Sequence, residues 1–221
     1  MRVMLLAVGK GERMRPLTLE TPKPLLTVGG RPLIARHLDR LAAAGVRDVV
    51  INVSWLGEQI VEFCGDGSDW GLSIQYSREE EPLETAGGLV QALPLLGDET
   101  FLVVNADVLT DYPFEQLLKR QLDLHTGHLV LVDNPAQHPD GDFSITQGRV
   151  SSRGEKTYTF SGIALYHPTF FDGHSEGKQP LLPLLLSAID EGRLFGEHFD
   201  GTWHDVGTPQ RLADLDVQYS N

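Results

Sequence analysis

The chain has 221 residues, 41% of them hydrophobic, with 18 basic against 31 acidic side chains and a formal net charge of −13. That length fits one large domain, the hydrophobic content favours a packed core over disorder, and the acidity argues against a general nucleic-acid binder, whose phosphate contacts need a positive surface. Cys64 is the single cysteine, which excludes an intramolecular disulfide and a multi-cysteine zinc site; no apolar run approaches the ~20 residues of a membrane span, and the brief hydrophobic start is a poor signal peptide, so a cytoplasmic protein without a membrane partner is expected.

In chain order, residues 3–8 are an apolar run that predicts a buried strand, stopped by Gly9-Lys10-Gly11. Residues 9–30 hold Pro16, Pro22 and Pro24 and show no helical period. They predict a long loop, and long loops in compact domains are usually functional. Pro32 opens a predicted helix with Ile34, Leu38 and Leu41 on one face and Gly45 as its stop. There follow a strand at 48–53, a helix at 55–64, a strand at 72–76 and an acidic loop at 79–84. Thr85-Ala86-Gly87-Gly88 closes that loop, a helix runs on to Leu95, and an apolar strand occupies 101–105. Strands joined by helices of this length imply a mostly parallel sheet with right-handed crossovers.

The second half is richer in hairpins. Strands are expected at 129–132, 143–145 and 157–166, then a helix at 181–189 broken early by Pro183, short strands at 195–199 and 203–206, and a last helix at 209–217. Without a repeat, a low-complexity tract or a linker, the expectation is a single α/β domain over 1–221, Rossmann-like, with a mixed, mostly parallel central sheet flanked by helices.

Charge is unevenly spread. Nine of the 18 basic residues lie in the first 47 positions, opposed there only by Glu12, Glu20 and Asp39. A local cationic segment in an acidic protein points to a small polyanionic ligand. Arg36, Arg40 and Arg47 fall in or beside a helical pattern and read equally well as a solvated face; Lys10, Arg13, Arg15 and Lys23 do not. Gly9-Lys10-Gly11 directly follows the first strand, at the sheet edge where open parallel sheets bind ligands, and its glycines allow close approach of a phosphate. Met14 breaks the G-x-G-x-x-G dinucleotide fingerprint, and the Walker A spacing is missing.

The longer string is more specific: Gly9-Lys10-Gly11-Glu12-Arg13-Met14-Arg15-Pro16-Leu17-Thr18, then Pro22-Lys23-Pro24. With Leu6-Ala7 ahead of it, it resembles the L-A-x-G-x-G-x-R-x-x-P-L-T and P-K-P signature of the sugar-1-phosphate nucleotidyltransferases. Leu83-Glu84-Thr85-Ala86-Gly87-Gly88 resembles their L-G-T-A-G nucleoside loop, Asn105-Ala106-Asp107 their N-G-D metal turn, and Trp203-His204-Asp205-Val206-Gly207-Thr208 their W-x-D-x-G-T segment. Glu84 in place of the usual Gly, Leu131 to Pro135, Gly141-Asp142-Phe143 and Thr159 to Ile163 are most similar to the members that act on N-acetylmuramic acid 1-phosphate. The short stretch beyond residue 208 argues against members with long C-terminal extensions.

The resemblance implies a cytoplasmic enzyme that moves UMP from UTP to a sugar 1-phosphate with Mg²⁺, as a monomer. Residues 1–110 would bind the nucleotide and 111–221 the sugar. It assigns Arg15 and Lys23 to catalysis; Leu6, Ala7, Gly9, Lys10, Gly11, Arg13, Glu84, Gly87, Gly88 and Asn105 to the nucleotide; Gly141, Asp142, Ser161 and Gly162 to the sugar; and Asp107 and Asp205 to the metal. Blander readings stand beside these: Arg13 as a structural partner of Glu12 or Glu20, Asp205 as a turn residue, Glu84 as part of a solvated acidic loop with Glu79, Glu80 and Glu81. Other sugars and bases, or a catalytically silent nucleotide-sugar sensor, are the rival functions. Three departures stand out. Val8 replaces a small residue, Ala106 replaces a Gly and would be strained if its turn needs positive φ, and the family's E-K-P segment has no clear match: Asp133-Asn134-Pro135 is only a loose analogue, and Glu155-Lys156-Thr157 reads equally well as a coincidence.

Overall fold

A computed structural model describes residues 1–220. In chain order the elements are β1 (Val3–Leu6), β2 (Thr27–Val28), β3 (Arg31–Pro32), α1 (Leu33–Ala43), β4 (Asp48–Val53), α2 (Gly57–Cys64), β5 (Ser73–Arg78), α3 (Glu84–Leu96), β6 (Phe101–Asn105), β7 (Val108–Thr110) and α4 (Phe114–Leu117). The second half adds β8 (Gly127–Val132), β9 (Ser144–Thr146), β10 (Arg149–Ser151), β11 (Thr159–Tyr166), α5 (Leu181–Asp190), β12 (Leu194–Phe199), β13 (Trp203–Asp205) and α6 (Pro209–Tyr219).

One nine-stranded sheet, in the order β5-β4-β1-β6-β11-β8-β12-β10-β9, runs through both halves. β5, β4, β1 and β6 are mutually parallel. β11 then runs antiparallel to both β6 and β8, and β12 lies parallel to β8. The period-2 alternation of strands sorts side chains to two faces. Val3, Leu5, Leu102 and Val104 pack with α1 and α2, while Met4, Phe101 and Val103 pack with α3 and α5.

A third, smaller core positions the site. Met14, Leu26 and Val28 of the N-terminal loop pack against Leu109, Val206 and Leu215, so the loop is bolted to β7 and α6. The loop is also more ordered than its composition suggests. It holds three short 3₁₀ turns (Glu12–Met14, Leu17–Leu19, Lys23–Leu25) and the β2–β3 hairpin. Gly29 and Gly30, both at positive φ (55° and 71°), make the two-residue turn of that hairpin.

Two expectations change. β1 ends at Leu6, because the Ala7 N–H leaves the ladder to donate to Asn52 Oδ1 at 2.8 Å. Pro183 does not break α5: it is the third helical residue, where no intrahelical N–H is needed.

Candidate active site

A cavity of about 560 Å³ lies across the carboxyl ends of the parallel strands, where open α/β sheets present their ligands. Leu6, Ala7, Gly9, Gly11, Arg13, Lys23, Glu84, Asn105 and Asp107 all line it, together with Val8 and Asn52. Residues far apart in sequence therefore meet because β1, β4 and β6 are neighbours.

The loop after β1 is shaped by its own motif. Gly11 adopts φ 56°, and a Cβ there would come within 2.7 Å of Thr18 Cγ2. Buried Thr18 donates its hydroxyl to the Gly11 carbonyl at 2.7 Å, and the Met14 N–H donates to the same oxygen at 2.8 Å. The Thr of the P-L-T string thus pins the glycine turn. Nothing lies within 4 Å of the position a Gly9 Cβ would take, so the backbone there is open to a close-approaching ligand.

Lys23 Nζ donates to Asp107 Oδ2 at 2.5 Å, with the Lys23 side chain only 12% exposed. The carboxylate of the N-A-D turn and the cation of the P-K-P string are therefore one unit on the cavity wall. Ala106 is buried and adopts no positive φ, so the alanine is unstrained there. Asp205 pairs opposite Val108 in the β13–β7 ladder, and the Val206 N–H donates to the Asp107 carbonyl at 3.2 Å. This pairing brings the second aspartate one rung from the first. The Asp205 carboxylate itself accepts from Arg211 at 2.6 Å and faces an adjoining pocket of about 280 Å³ with Trp203 and His204, while Gly207 reaches the main cavity.

A buried network floors the cavity. Asn52 accepts from the Ala7 N–H and donates to Glu79 Oε1 at 2.7 Å; Glu79 Oε2 accepts from the Leu83 N–H at 2.9 Å. Glu79 is 4% exposed, and burial raises its carboxyl above the usual glutamate range against the pull of those two donors. It is not part of a solvated loop. Gly88 exists for this carboxylate: a Cβ there would sit 2.6 Å from Glu79 Oε1. Gly87 serves a different neighbour, since its Cβ would lie 2.1 Å from the Gly177 carbonyl oxygen. Both glycines make room for protein rather than lining the cavity.

Other predicted residues also lie off the cavity wall. Arg15 is exposed and pairs with Glu12 at 3.6 Å; Lys10 is exposed. Ser161 is buried at the β11 bulge, its hydroxyl donating to the Val130 carbonyl at 2.7 Å and accepting from the Ile163 N–H at 3.1 Å. Its side chain therefore holds the bulge. Gly162, at φ 78°, lets Asn105 pack where a Cβ would be, 2.5 Å from Asn105 Nδ2. Asp142 accepts from the Phe160 N–H at 2.7 Å and pairs with His138, and Gly141 lies against Asn134. Lys156 pairs with Asp133 at 3.4 Å and lies over the Tyr158 ring, outside the cavity. The sequence pattern does not single out Asn52, Glu79 or Lys178 as site residues; for Asn52 the available signal is a lone polar residue within the apolar run of β4.

Comparison with known proteins agrees with this geometry. The nucleotidyl transferase family model matches residues 2–221. The chain is 49% identical over 222 residues to the N-acetylmuramate alpha-1-phosphate uridylyltransferase of Neisseria meningitidis serogroup B, covering 97% of this chain and 96% of that protein. It is 34% identical to the mannose-1-phosphate guanyltransferase of Kluyveromyces lactis, covering all of this chain but only 65% of that longer protein. Among solved structures, HddC from Yersinia pseudotuberculosis in complex with GMP-PN superposes with a TM-score of 0.81 at 19% identity, covering 99% of each chain, a likeness of fold. A cavity at the carboxyl ends of the strands, the pinned glycine loop and a family match over nearly the whole length converge: the chain belongs to the nucleotidyl transferase family.

Proposed function

We propose that the protein transfers UMP from UTP to N-acetylmuramic acid α-1-phosphate, giving the UDP-sugar and pyrophosphate, a step of cell-wall recycling. The observation that carries the chemistry is the Lys23–Asp107 pair on a cavity wall that also holds Gly9, Gly11 and Arg13. The similarity to the Neisseria uridylyltransferase, over nearly the full length of both chains, supports the choice of base and sugar.

A sugar 1-phosphate is already ionised near neutral pH, so its oxygen can attack the α-phosphorus of UTP without a protein base. The bond from that phosphorus to the bridging oxygen of the leaving pyrophosphate breaks. The obstacle is repulsion between two polyanions, and cationic clamps with in-line positioning lower it. Lys23 holds the α-phosphate and the sugar phosphate together as a point charge, and Arg13 faces the β/γ end. Arg15 reaches the triphosphate only by leaving Glu12, which its exposure permits.

Mg²⁺ takes few carboxylates plus phosphate oxygens and water. Asp107 on the cavity wall offers a carboxylate for such an ion, and Asp205, reached through the β13–β7 ladder beside it, would join by turning its carboxylate from Arg211 and the adjoining pocket. The ion would supply charge neutralisation at the transferring phosphoryl group.

Pyrophosphate release measured across four nucleoside triphosphates and six sugar 1-phosphates tests the proposal. A single strong response at UTP with N-acetylmuramic acid 1-phosphate is expected. A strong response with GTP and mannose 1-phosphate, the reading favoured by the Kluyveromyces relative, keeps the chemistry and replaces the substrates. A blank grid with UTP still bound by calorimetry points to a sensor.

A further inference from the structure

We propose that Glu84 and Lys178 together read the edge of the nucleobase, selecting one that carries an imide N–H beside a carbonyl oxygen. This rests on the nucleotide transfer proposed above and names two residues for its base specificity. Both line the cavity, and Lys178 Nζ lies 3.6 Å from Glu84 Oε1. A carboxylate only accepts hydrogen bonds and an ammonium only donates them. Side by side they complement the N3–H and C4=O of uracil, and equally the N1–H and C6=O of guanine. Cytosine and adenine present the inverse pattern, a bare ring nitrogen beside an amino donor.

The cavity itself places the base at this end. It crosses the strand ends from Asp107 after β6, past Gly9 after β1 and Asn52 on β4, to Pro82, Glu84 and Thr85 after β5. Strands lie about 4.8 Å apart, so a nucleotide with its phosphates at Lys23 and Gly9 reaches the Glu84 end with its base. Two further observations show that the pair is built. Glu84 sits at φ 59°, a conformation that disfavours every residue with a Cβ and persists where the surroundings require it. Lys178 rides on a strap anchored at both sides. The Ala86 and Gly87 N–H groups donate to the Gln179 carbonyl at 3.1 and 3.2 Å, the Gln179 N–H donates to Leu83 O at 2.9 Å, and Gly177 O occupies the space a Gly87 side chain would take.

The test is nucleotide discrimination by the full chain and its Glu84→Gln, Lys178→Gln and Lys178→Leu variants, in turnover and in calorimetric binding of UTP and CTP without sugar phosphate. Glu84→Gln adds a donor that can meet the bare N3 of cytosine and is expected to lower the UTP/CTP ratio of kcat/KM by about tenfold or more. Lys178→Leu is expected to raise the UTP KM about tenfold with kcat nearly unchanged, and Lys178→Gln, which keeps a donor, to recover most of that loss. An unchanged UTP/CTP ratio and an unchanged UTP KM in folded variants overturn the assignment. The binding arm separates the two proposals: shifted UTP/CTP binding without turnover on any sugar 1-phosphate overturns the transfer reading alone, whereas normal turnover with no shift overturns the base-edge reading alone.

Discussion

The phosphate end of the cavity and its opposite end are built by contrasting means. At the phosphate end one continuous stretch, from Leu6 to Lys23, supplies the glycines, the cations and the hydroxyl that pins them. At the other end the wall is made of pieces brought together by the fold: Asn52 from β4, Glu79 from the loop after β5, Glu84 from the start of α3, and Lys178 from a strap ahead of α5. In the proposed function the cations that clamp phosphate sit on the local segment, and base selection sits on the assembled one. A local segment holds its geometry through short-range hydrogen bonds, while an assembled wall can change one piece at a time.

The largest effect is expected where the two aspartates are tested against each other. Asp107→Asn should cost at least about 10³-fold in turnover, and Asp205→Asn a comparable amount, measured as pyrophosphate release in Mg²⁺. A near-normal rate for Asp205→Asn alone would confine the metal to the phosphate end and remove the second half from it. Lys23→Ala should reduce sugar-phosphate use by about 10²-fold while weakening UTP binding less; the opposite order would move Lys23 from the transferring phosphate to the nucleotide. Gly87→Ala strikes the assembled wall. The new methyl would collide with Gly177 O, so the strap must shift, with a stability loss of about 2 kcal/mol in denaturant melts and a higher UTP KM. Thr18→Val keeps the shape of the local segment but removes the hydroxyl bond to Gly11 O, and about 1 kcal/mol is expected.

A pH experiment sharpens the support behind Asp107. His37 is buried, its Nε2–H donates to the Val108 carbonyl at 2.8 Å, and desolvation pushes its pKa down to about 4. The unfolded chain takes up this proton near pH 6.5 while the folded one resists it until about pH 4. Stability from this group is therefore complete above pH 6.5 and falls as pH drops through the window to about 4, by up to about 3 kcal/mol. His37→Gln should flatten that part of the stability profile; an unchanged slope would assign the acid loss to other groups.

Particular residues show where legibility in the sequence stopped. The strands Asp48–Val53 and Phe101–Asn105 were expected at 48–53 and 101–105, because an unbroken apolar run between turn residues leaves a buried strand little freedom. Short elements escaped notice: β7, β10 and the β2–β3 hairpin have two or three residues each and no period to detect. Gly87 and Gly88 were expected at the nucleotide, yet each is a glycine because another part of the chain passes close by. Glu79 looked like one of several loop acids and is a buried keystone.

Local order in the chain was enough to specify the alternation of strand and helix, the glycine loop after β1 and the chemical class of the residues on it, since these depend on neighbours a few positions away. Burial of Glu79, the Lys23–Asp107 contact and the meeting of Glu84 with Lys178 depend on the order of strands in the sheet, and the approach of Asp205 depends on the separate β13–β7 ladder beside it. The strand order brings together residues separated by 84 positions for Lys23 and Asp107. Such contacts arise when a whole sheet buries both its faces at once, so only the tertiary structure could decide them.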